Sequence, residues 1–171
     1  MSVAIETDRL VMTRPTLDDA SMIEAMINSE GVGRYLPSNS PEDAFNRVLR
    51  NEGCWSFYGY GPLIVREKAG GAFAGQCGLF HGRRGLGEDF DPFPEAGWVI
   101  AADYHGKGYA GEAMVAILDW VRREHGVRRV VAIIDPDNLP SIRLAEKMGF
   151  GDIGQAIYKD SKVVRFAWEA V

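Results

Sequence analysis

The sequence predicts an α/β fold in which about four helices pack on a mixed, mostly antiparallel sheet of six to seven strands. Three observations predict it. Apolar or alternating runs before residue 101 are joined by turns, which is typical of an antiparallel meander. A helical pattern then leads into a continuously apolar run, which indicates two parallel strands joined by a crossover helix. A second helical pattern and two more strands end the chain, and we expect a single domain over residues 1–171.

The first half of the chain alternates strands with two helical segments. We expect a strand over 9–14, helices over 17–28 and 41–50, and antiparallel strands over 55–66, 72–81 and 94–101. Between the two helices, segment 31–40 mixes turn-forming residues with Tyr35 and Leu36. It fits either a packed loop or a loop that faces a substrate. The long polar loop 81–93 is expected to shape a substrate site together with this segment.

The second half contains the crossover. A helix over 110–125 places five apolar residues on one face, and Gly126 follows as its C-cap. Residues 129–134 form an apolar strand, and residues 139–148 form a helix that ends at Gly149. We expect a closing antiparallel hairpin with strands over 150–158 and 162–170.

Charge and composition exclude several classes of protein. The chain has 171 residues, of which 46% are hydrophobic and 25% charged, as is ordinary for a globular protein. Its net charge of −5 argues against binding to nucleic acid, which needs clustered basic residues. The pairs Arg83–Arg84 and Arg122–Arg123 are expected to be solvated surface.

Cysteine usage and the N-terminal residues predict a cytoplasmic protein. Cys54 and Cys77 are 23 positions apart and form no CxxC pair, so neither a disulfide framework nor a zinc site is indicated. The N-terminal segment has no basic and apolar leader pattern, and no apolar run is long enough to span a membrane. We expect a monomer or homodimer without membrane attachment.

The most informative stretch is the transition from strand to helix at residues 98–114. Gly106 and Gly108 form a glycine-rich turn directly before the helix. The first turn of a helix leaves backbone N–H groups unpaired, and the helix dipole adds positive charge there, so the turn predicts a phosphate or pyrophosphate site.

Two kinds of protein have such a turn. Residues 106–111 spell GxGxxG, and Asp135 follows 24 positions after Gly111, as in a dinucleotide-binding fold. That fold places the glycines directly after its first strand and needs several further strand–helix units. Here residues 102–105 intervene and only 60 residues follow Gly111, so this interpretation ranks low.

The turn His105-Gly106-Lys107-Gly108-Tyr109-Ala110 resembles the acetyl-CoA pyrophosphate loop of the GNAT superfamily of N-acetyltransferases, with His105 where the family pattern has Gln or Arg. The block from Asn138 to Phe150 resembles the second signature of that superfamily, in which an Asn and a Ser lead a helix that ends in Gly-Phe. The opening block from Glu6 to Pro15 is similar to the first strand of the RimJ/RimL-like branch.

This resemblance implies a V-shaped splay between the two parallel central strands and acetyl-CoA as co-substrate, with no metal. It implies transfer of the acetyl group to an amine acceptor, either a protein N-terminus or a small amine. The residues that it implies for cofactor binding are Trp98, Val99, Ile100, His105, Gly106, Lys107, Gly108, Tyr109, Ala110, Gly111 and Asn138.

Two residues are candidates for catalysis. Glu95 stands on the strand that the resemblance places beside the thioester, where it is a general base; alternatively it is a solvated charge at the strand edge. Ser141 is the candidate donor to the departing thiolate, although a Ser in a first helical turn often satisfies a free backbone donor. Asn138 is a candidate cap for the same helix.

A different class of function stays open. Many GNAT enzymes use a helix tyrosine as the acid, and the matching position here is Ala145. The chain therefore also fits a CoA-binding sensor or interaction module with weak catalysis.

Overall fold

The computed structural model describes residues 4–171, and the first three residues of the N-terminal segment lie outside this range. The four α-helices are α1 (Ala20–Ile27), α2 (Pro41–Tyr58), α3 (Tyr109–His125) and α4 (Leu139–Lys147). The strands are β1 (Ala4–Glu6), β2 (Leu10–Thr13), β3 (Pro62–Glu67), β4 (Phe73–Phe80), β5 (Glu95–Ile100), β6 (Arg129–Ile134), β7 (Gly151–Tyr158) and β8 (Ser161–Glu169).

All eight described strands form one sheet in the order β1-β2-β3-β4-β5-β6-β8-β7. Neighbours are antiparallel except β5 and β6, which are parallel. The predicted fold class is confirmed, with eight strands rather than six to seven. The strand that the sequence did not predict is β1, which has three residues and pairs with β2 at the edge of the sheet.

The main error of the sequence prediction lies in α2. A helix was expected to end at Arg50 and a strand to begin at Trp55, but the helix continues to Tyr58 and ends at Gly59, which has a φ of +75°. Trp55 is buried, and its indole N–H donates to the carbonyl of Pro62 at 3.0 Å. Packing against the core thus overrides the β propensity of this aromatic segment.

The helices cover both faces of the sheet. Along β3, Leu63 and Val65 belong to the core under α3 and α4, whereas Ile64 belongs to the core under α1 and α2. The segment between β4 and β5 covers β6 and β8 on the α1–α2 face, where Phe90 packs against Val131.

The parallel pair β5–β6 is joined only at its beginning. Glu95 pairs with Val131, whose N–H donates to the carbonyl of Pro94 at 2.9 Å. No other residue of β5 pairs with β6 within residues 4–171, although β6 pairs with β8 along its whole length. The two strands therefore diverge into a V-shaped gap, and α3 begins beyond the open end of β5.

Candidate active site

The turn after β5 presents free backbone donors. Gly106 and Gly108 have φ values of +76° and +78°, a left-handed conformation that glycine adopts without steric cost. Gly108 is the N-cap of α3, and no side chain within the described residues caps this end. The N–H groups of the first helical turn, at Tyr109, Ala110 and Gly111, are therefore free to bind an anion.

Arg9 holds this turn in place from the other end of the chain. Its Nη1 donates to the carbonyl of Lys107 at 2.9 Å, and its Nε donates to Glu112 in α3 at 2.7 Å. Burial acts to raise the pKa of Glu112, but hydrogen bonds from Thr7 and Arg9 outweigh it, so the pKa lies below the usual glutamate value. Lys107 places its ammonium 4.6 Å from the centre of the Tyr104 ring. Sequence reasoning missed this role of Arg9, because its partners lie about 100 positions away along the chain.

The side chains at the start of α3 pack inward. The Tyr109 hydroxyl donates to Glu67 at 2.5 Å, and the guanidinium of Arg9 lies 4.8 Å from the Tyr109 ring centre. A Cβ at Gly111 would lie 3.2 Å from Leu144 of α4. At Tyr109 and Gly111 the backbone, and not a side chain, is thus left to face a ligand.

The open edge of β5 carries a different set of backbone groups from the one predicted. The N–H of Ala101 donates to β4, and the carbonyl of Pro94 accepts from β6. By alternation, the backbone groups of Trp98 and Ile100 face the gap, whereas those of Val99 face β4. The backbone of Val99 is thus engaged within the sheet, and the pairing of β5 with a ligand stays a prediction that Trp98 and Ile100 fit better.

His105 uses one of these groups. Its Nε2–H donates to the carbonyl of Ile100 at 2.7 Å, because a carbonyl oxygen only accepts. This hydrogen bond fastens the glycine turn to the end of β5. The His105 side chain therefore contacts the backbone of the strand.

A hydroxyl faces β5 from the first turn of α4. Asn138 caps this helix by accepting from the Ser141 N–H at 3.3 Å. The Ser141 Oγ accepts from the indole N–H of Trp98, also at 3.3 Å. The prediction that Asn138 is a cap is confirmed, while the alternative capping role of the Ser141 hydroxyl is wrong. The hydroxyl proton of Ser141 remains free to donate elsewhere.

Glu95 is buried and paired. It is 3% exposed, and its Oε2 accepts from Nε of Arg84 at 2.7 Å. Burial raises the pKa of Glu95 above the usual glutamate value, while the charges of Arg84 and Arg50 partly oppose that shift. Glu95 is thus not a solvated edge charge, and Arg84, which lies 4.7 Å from the Tyr158 ring centre, is not solvated surface.

The two candidate catalytic groups lie on opposite faces of β5. Glu95 shares its face with Phe80 and with Arg50 of α2. Trp98 points to the other face, where it packs edge-on against Phe150 and contacts Ser141. A ligand in the gap between β5 and β6 would have Glu95 on one side and Ser141 on the other.

The segment between α1 and α2 is packed in part and lies at the surface in part, and its contact with a substrate stays a prediction. Val32 and Leu36 pack against the core under α1 and α2. Ser38 and Asn39 instead line a surface groove beside α2. The Tyr35 hydroxyl donates to the carbonyl of Asp137 at 3.3 Å, which connects this segment to the residue before Asn138.

Residues 4–171 contain no group of three His, Cys, Asp or Glu side chains arranged to hold a metal ion. The same range contains no helix long and apolar enough to cross a membrane. Cys54 and Cys77 are both free and buried, and burial raises the pKa of Cys77 to about 12. Arg122 and Arg123 are exposed and pair with Asp119.

This arrangement of splayed strands and a glycine turn has known relatives. Residues 9–151 match a family described as an acetyltransferase (GNAT) domain. The uncharacterized N-acetyltransferase YnaD of Bacillus subtilis is 30% identical over 151 residues, which cover 85% of this chain and 81% of the relative. The chain belongs to the GNAT acetyltransferase family.

Solved structures agree in fold. A protein described as a GNAT-family acetyltransferase from Bordetella pertussis has a TM-score of 0.86 and 32% identity over 96% of this chain and 98% of that one. A protein described as a ribosomal-protein-serine acetyltransferase from Vibrio cholerae has a TM-score of 0.77 at 20% identity, over 98% of both chains. The aminoglycoside acetyltransferase AAC(6')-Ib, solved with coenzyme A, has a TM-score of 0.78 at 20% identity, over 94% of both chains. The last two share only the fold, so the fold does not select an acceptor.

Proposed function

We propose that this chain is an acetyl-CoA-dependent N-acetyltransferase that moves the acetyl group directly to a primary amine. The observation that carries the proposal is the uncapped start of α3, where Gly106 and Gly108 turn free N–H groups outward beyond the open end of β5. Backbone donors and the helix dipole suit a pyrophosphate. The acceptor is either a protein N-terminus or a small amine. The opening block from Glu6 to Pro15 favours the RimJ/RimL-like branch.

Bound acetyl-CoA would supply an activated acetyl group as a thioester. In the transfer, a C–N bond to the amine forms and the C–S bond breaks. The amine loses a proton and the sulfur gains one. Glu95 is suited to receive the proton of the amine, directly or through water, because Arg84 favours its ionised form against burial. Ser141 is suited to supply a proton or hydrogen bond to the sulfur, because Trp98 occupies only an acceptor site of its hydroxyl.

A second candidate is a CoA-binding sensor with weak catalysis. The observation that favours it is the ion pair of Glu95 with Arg84, which engages the candidate base, together with Ala145 at the position of the helix tyrosine. In this case the glycine turn binds CoA, and the gap has no efficient proton acceptor.

The two candidates differ in turnover. The purified chain is incubated with acetyl-CoA and a panel of peptide N-termini, amino acids, polyamines and aminoglycosides, while release of the CoA thiol is followed and products are weighed by mass spectrometry. We expect acetylated amine and free CoA in equal amounts with at least one class. Tight CoA binding without acetylation of any class would contradict the enzyme and favour the sensor.

A further inference from the structure

Two arginines of α2 line a groove on the same side of the sheet as Glu95. Arg47 and Arg50, together with Asn39, contribute to the walls of a groove of about 300 Å³ on the α1–α2 face. The guanidinium of Arg50 lies 5.8 Å from the ring centre of Phe80, and Phe80 is the β4 partner of Glu95. The groove therefore lies on the same face of the sheet as Glu95, which is the face on which the acceptor amine would meet this carboxylate.

Neither of these arginines forms an ion pair with a described side chain. Within residues 4–171, no carboxylate lies within ion-pair distance of Arg47 or Arg50. Asp43 also lines the groove, but its Oδ2 accepts from the N–H and the hydroxyl of Ser40 at the start of α2. Arg84 also lies 5.8 Å from the Phe80 ring centre, but it is paired with Glu95.

Burial makes this lack of a partner costly for Arg47, whereas Arg50 is exposed. Burial lowers the pKa of Arg47 below its usual value, the neighbouring Arg50 lowers it further, and Asp43 only partly compensates. A partly buried guanidinium without a counter-ion gains from an anion, which restores both charge balance and hydrogen bonds.

An amide donor adds a second observation. The Nδ2 of Asn39 is buried and has no hydrogen-bond partner among the described residues, while its backbone is held by Asn28 through bonds of 2.7 and 2.8 Å. Buried donors are normally satisfied, so Asn39 leaves an unmatched donor in the wall of the groove.

We propose that the acceptor is a primary amine that also carries an anionic group, a carboxylate or a phosphate, which Arg47 and Arg50 bind while the amine reaches Glu95. The proposal rests on the proposed function and specifies its substrate class. A polycationic acceptor would be repelled by two arginines, which the single carboxylate of the groove, Asp43, compensates only in part. The net charge of −5 does not outweigh them, because charges farther away than about 8–10 Å are largely screened in physiological salt.

The test compares amines that differ only in the anion. The measured quantity is kcat/KM, corrected for the fraction of amine that is neutral. The three pairs are O-phosphoethanolamine and ethanolamine, leucine and leucinamide, and the peptides Ala-Asp-amide and Ala-Asn-amide. Spermidine serves as the cationic amine. The phosphate, free carboxylate and peptide pairs distinguish the source of the anion. We expect at least one anionic member to exceed its neutral partner by about tenfold or more, as a charge-assisted bond allows.

Variants assign that preference to the groove. Arg50→Gln and Arg47→Gln should each reduce the anionic-to-neutral ratio by about tenfold, whereas Arg128→Gln, an exposed arginine before β6, should keep the ratio within about twofold. Equal use of both members of every pair, the highest efficiency with spermidine, or an equal loss of the ratio in Arg128→Gln overturns the proposal.

Binding makes the test independent of turnover. If no amine is acetylated, calorimetric titration of the same pairs into the protein, with and without CoA, gives the ratio of their Kd values instead. Equal affinities within every pair overturn the acceptor proposal. The proposed function fails separately, through the absence of CoA binding or of acetylated product.

Discussion

At the level of single residues, the candidate base has a different environment from a surface glutamate. Glu95 is buried, its charge is compensated by Arg84, and its pKa is raised mainly by burial. A raised pKa suits a group that must take a proton near neutral pH, and such shifts occur often at functional sites. The position of Glu95 in the sequence indicated the residue; its partner comes from a loop 11 residues earlier and gave no local signal.

Replacement of Glu95 by Gln should lower kcat by about 100-fold, in the range of general base catalysis, with little effect on the affinity for acetyl-CoA. The wild-type rate should fall as the pH drops through a value above the usual glutamate pKa, because the base is active when ionised and burial raises its pKa. The variant should lose this acidic limb in a kcat profile against pH.

The matched control is Glu169→Gln, since Glu169 is also a strand glutamate paired with an arginine but lies at the end of β8. Its profile should equal that of the wild type. An unchanged kcat and an unchanged acidic limb in Glu95→Gln would remove the base role.

The Trp98–Ser141 contact predicts a coupled pair. Ser141→Ala should lower kcat by about tenfold rather than abolish turnover, because a thiol with a pKa of about 8.5 is a fair leaving group without help. Trp98→Phe keeps the ring packing but removes the N–H that orients the hydroxyl, so a smaller loss is expected. The double variant should be no slower than Ser141→Ala alone.

Steady-state kcat values of the wild type, the two single variants and the double variant form a double-mutant cycle. Trp120→Phe on α3 is the control, because its indole lies away from Ser141. Losses that simply add would show that Trp98 acts independently of Ser141.

At the level of elements, the glycine turn and α3 form one unit with the start of the chain. Arg9 bridges the carbonyl of Lys107 and the carboxylate of Glu112, so the turn is held at both ends. The turn was predictable because glycine spacing before a helix has a local physical meaning. The Arg9 contact was not, because it joins residues about 100 positions apart.

The two ends of α3 offer a matched test of the turn. Gly108 and Gly126 cap the N- and C-terminus of the helix with φ values of +78° and +66°. A valine at either position pays the left-handed penalty of about 1–2 kcal/mol, so both Gly108→Val and Gly126→Val should lower the thermal midpoint. Only Gly108→Val should raise the Kd for acetyl-CoA, by about tenfold or more, in calorimetric titration. An equal Kd in both variants would argue against the turn as the binding site.

The element with the poorest sequence prediction was α2. The residues from Trp55 onward favoured a strand, yet the helix continues through them because Trp55 packs into the core. Local propensity is a weak prior where tertiary packing decides. The consequence is functional, since α2 is the element that carries Arg47 and Arg50.

At the level of the whole molecule, the order of the elements was predictable from the sequence pattern. The divergence of β5 from β6 was not, and only the family resemblance implied it. Hydrophobic periodicity identified seven of the strands, and the apolar run 129–134 identified the parallel strand β6. The divergence of β5 from β6 depends on pairing between distant segments, which has no local pattern. We propose one domain over residues 1–171, since the described strands share one sheet.

The central claim is that the open end of this sheet binds coenzyme A. The most direct measurement is the thermal midpoint of the protein alone and with acetyl-CoA, CoA, ATP or NADH. At about 100 times its Kd, a ligand adds about 2.7 kcal/mol to the free energy of unfolding, which corresponds to a rise of several degrees. We expect that rise with acetyl-CoA and CoA and a much smaller one with ATP or NADH. No response to CoA, or a larger response to NADH, would contradict the account.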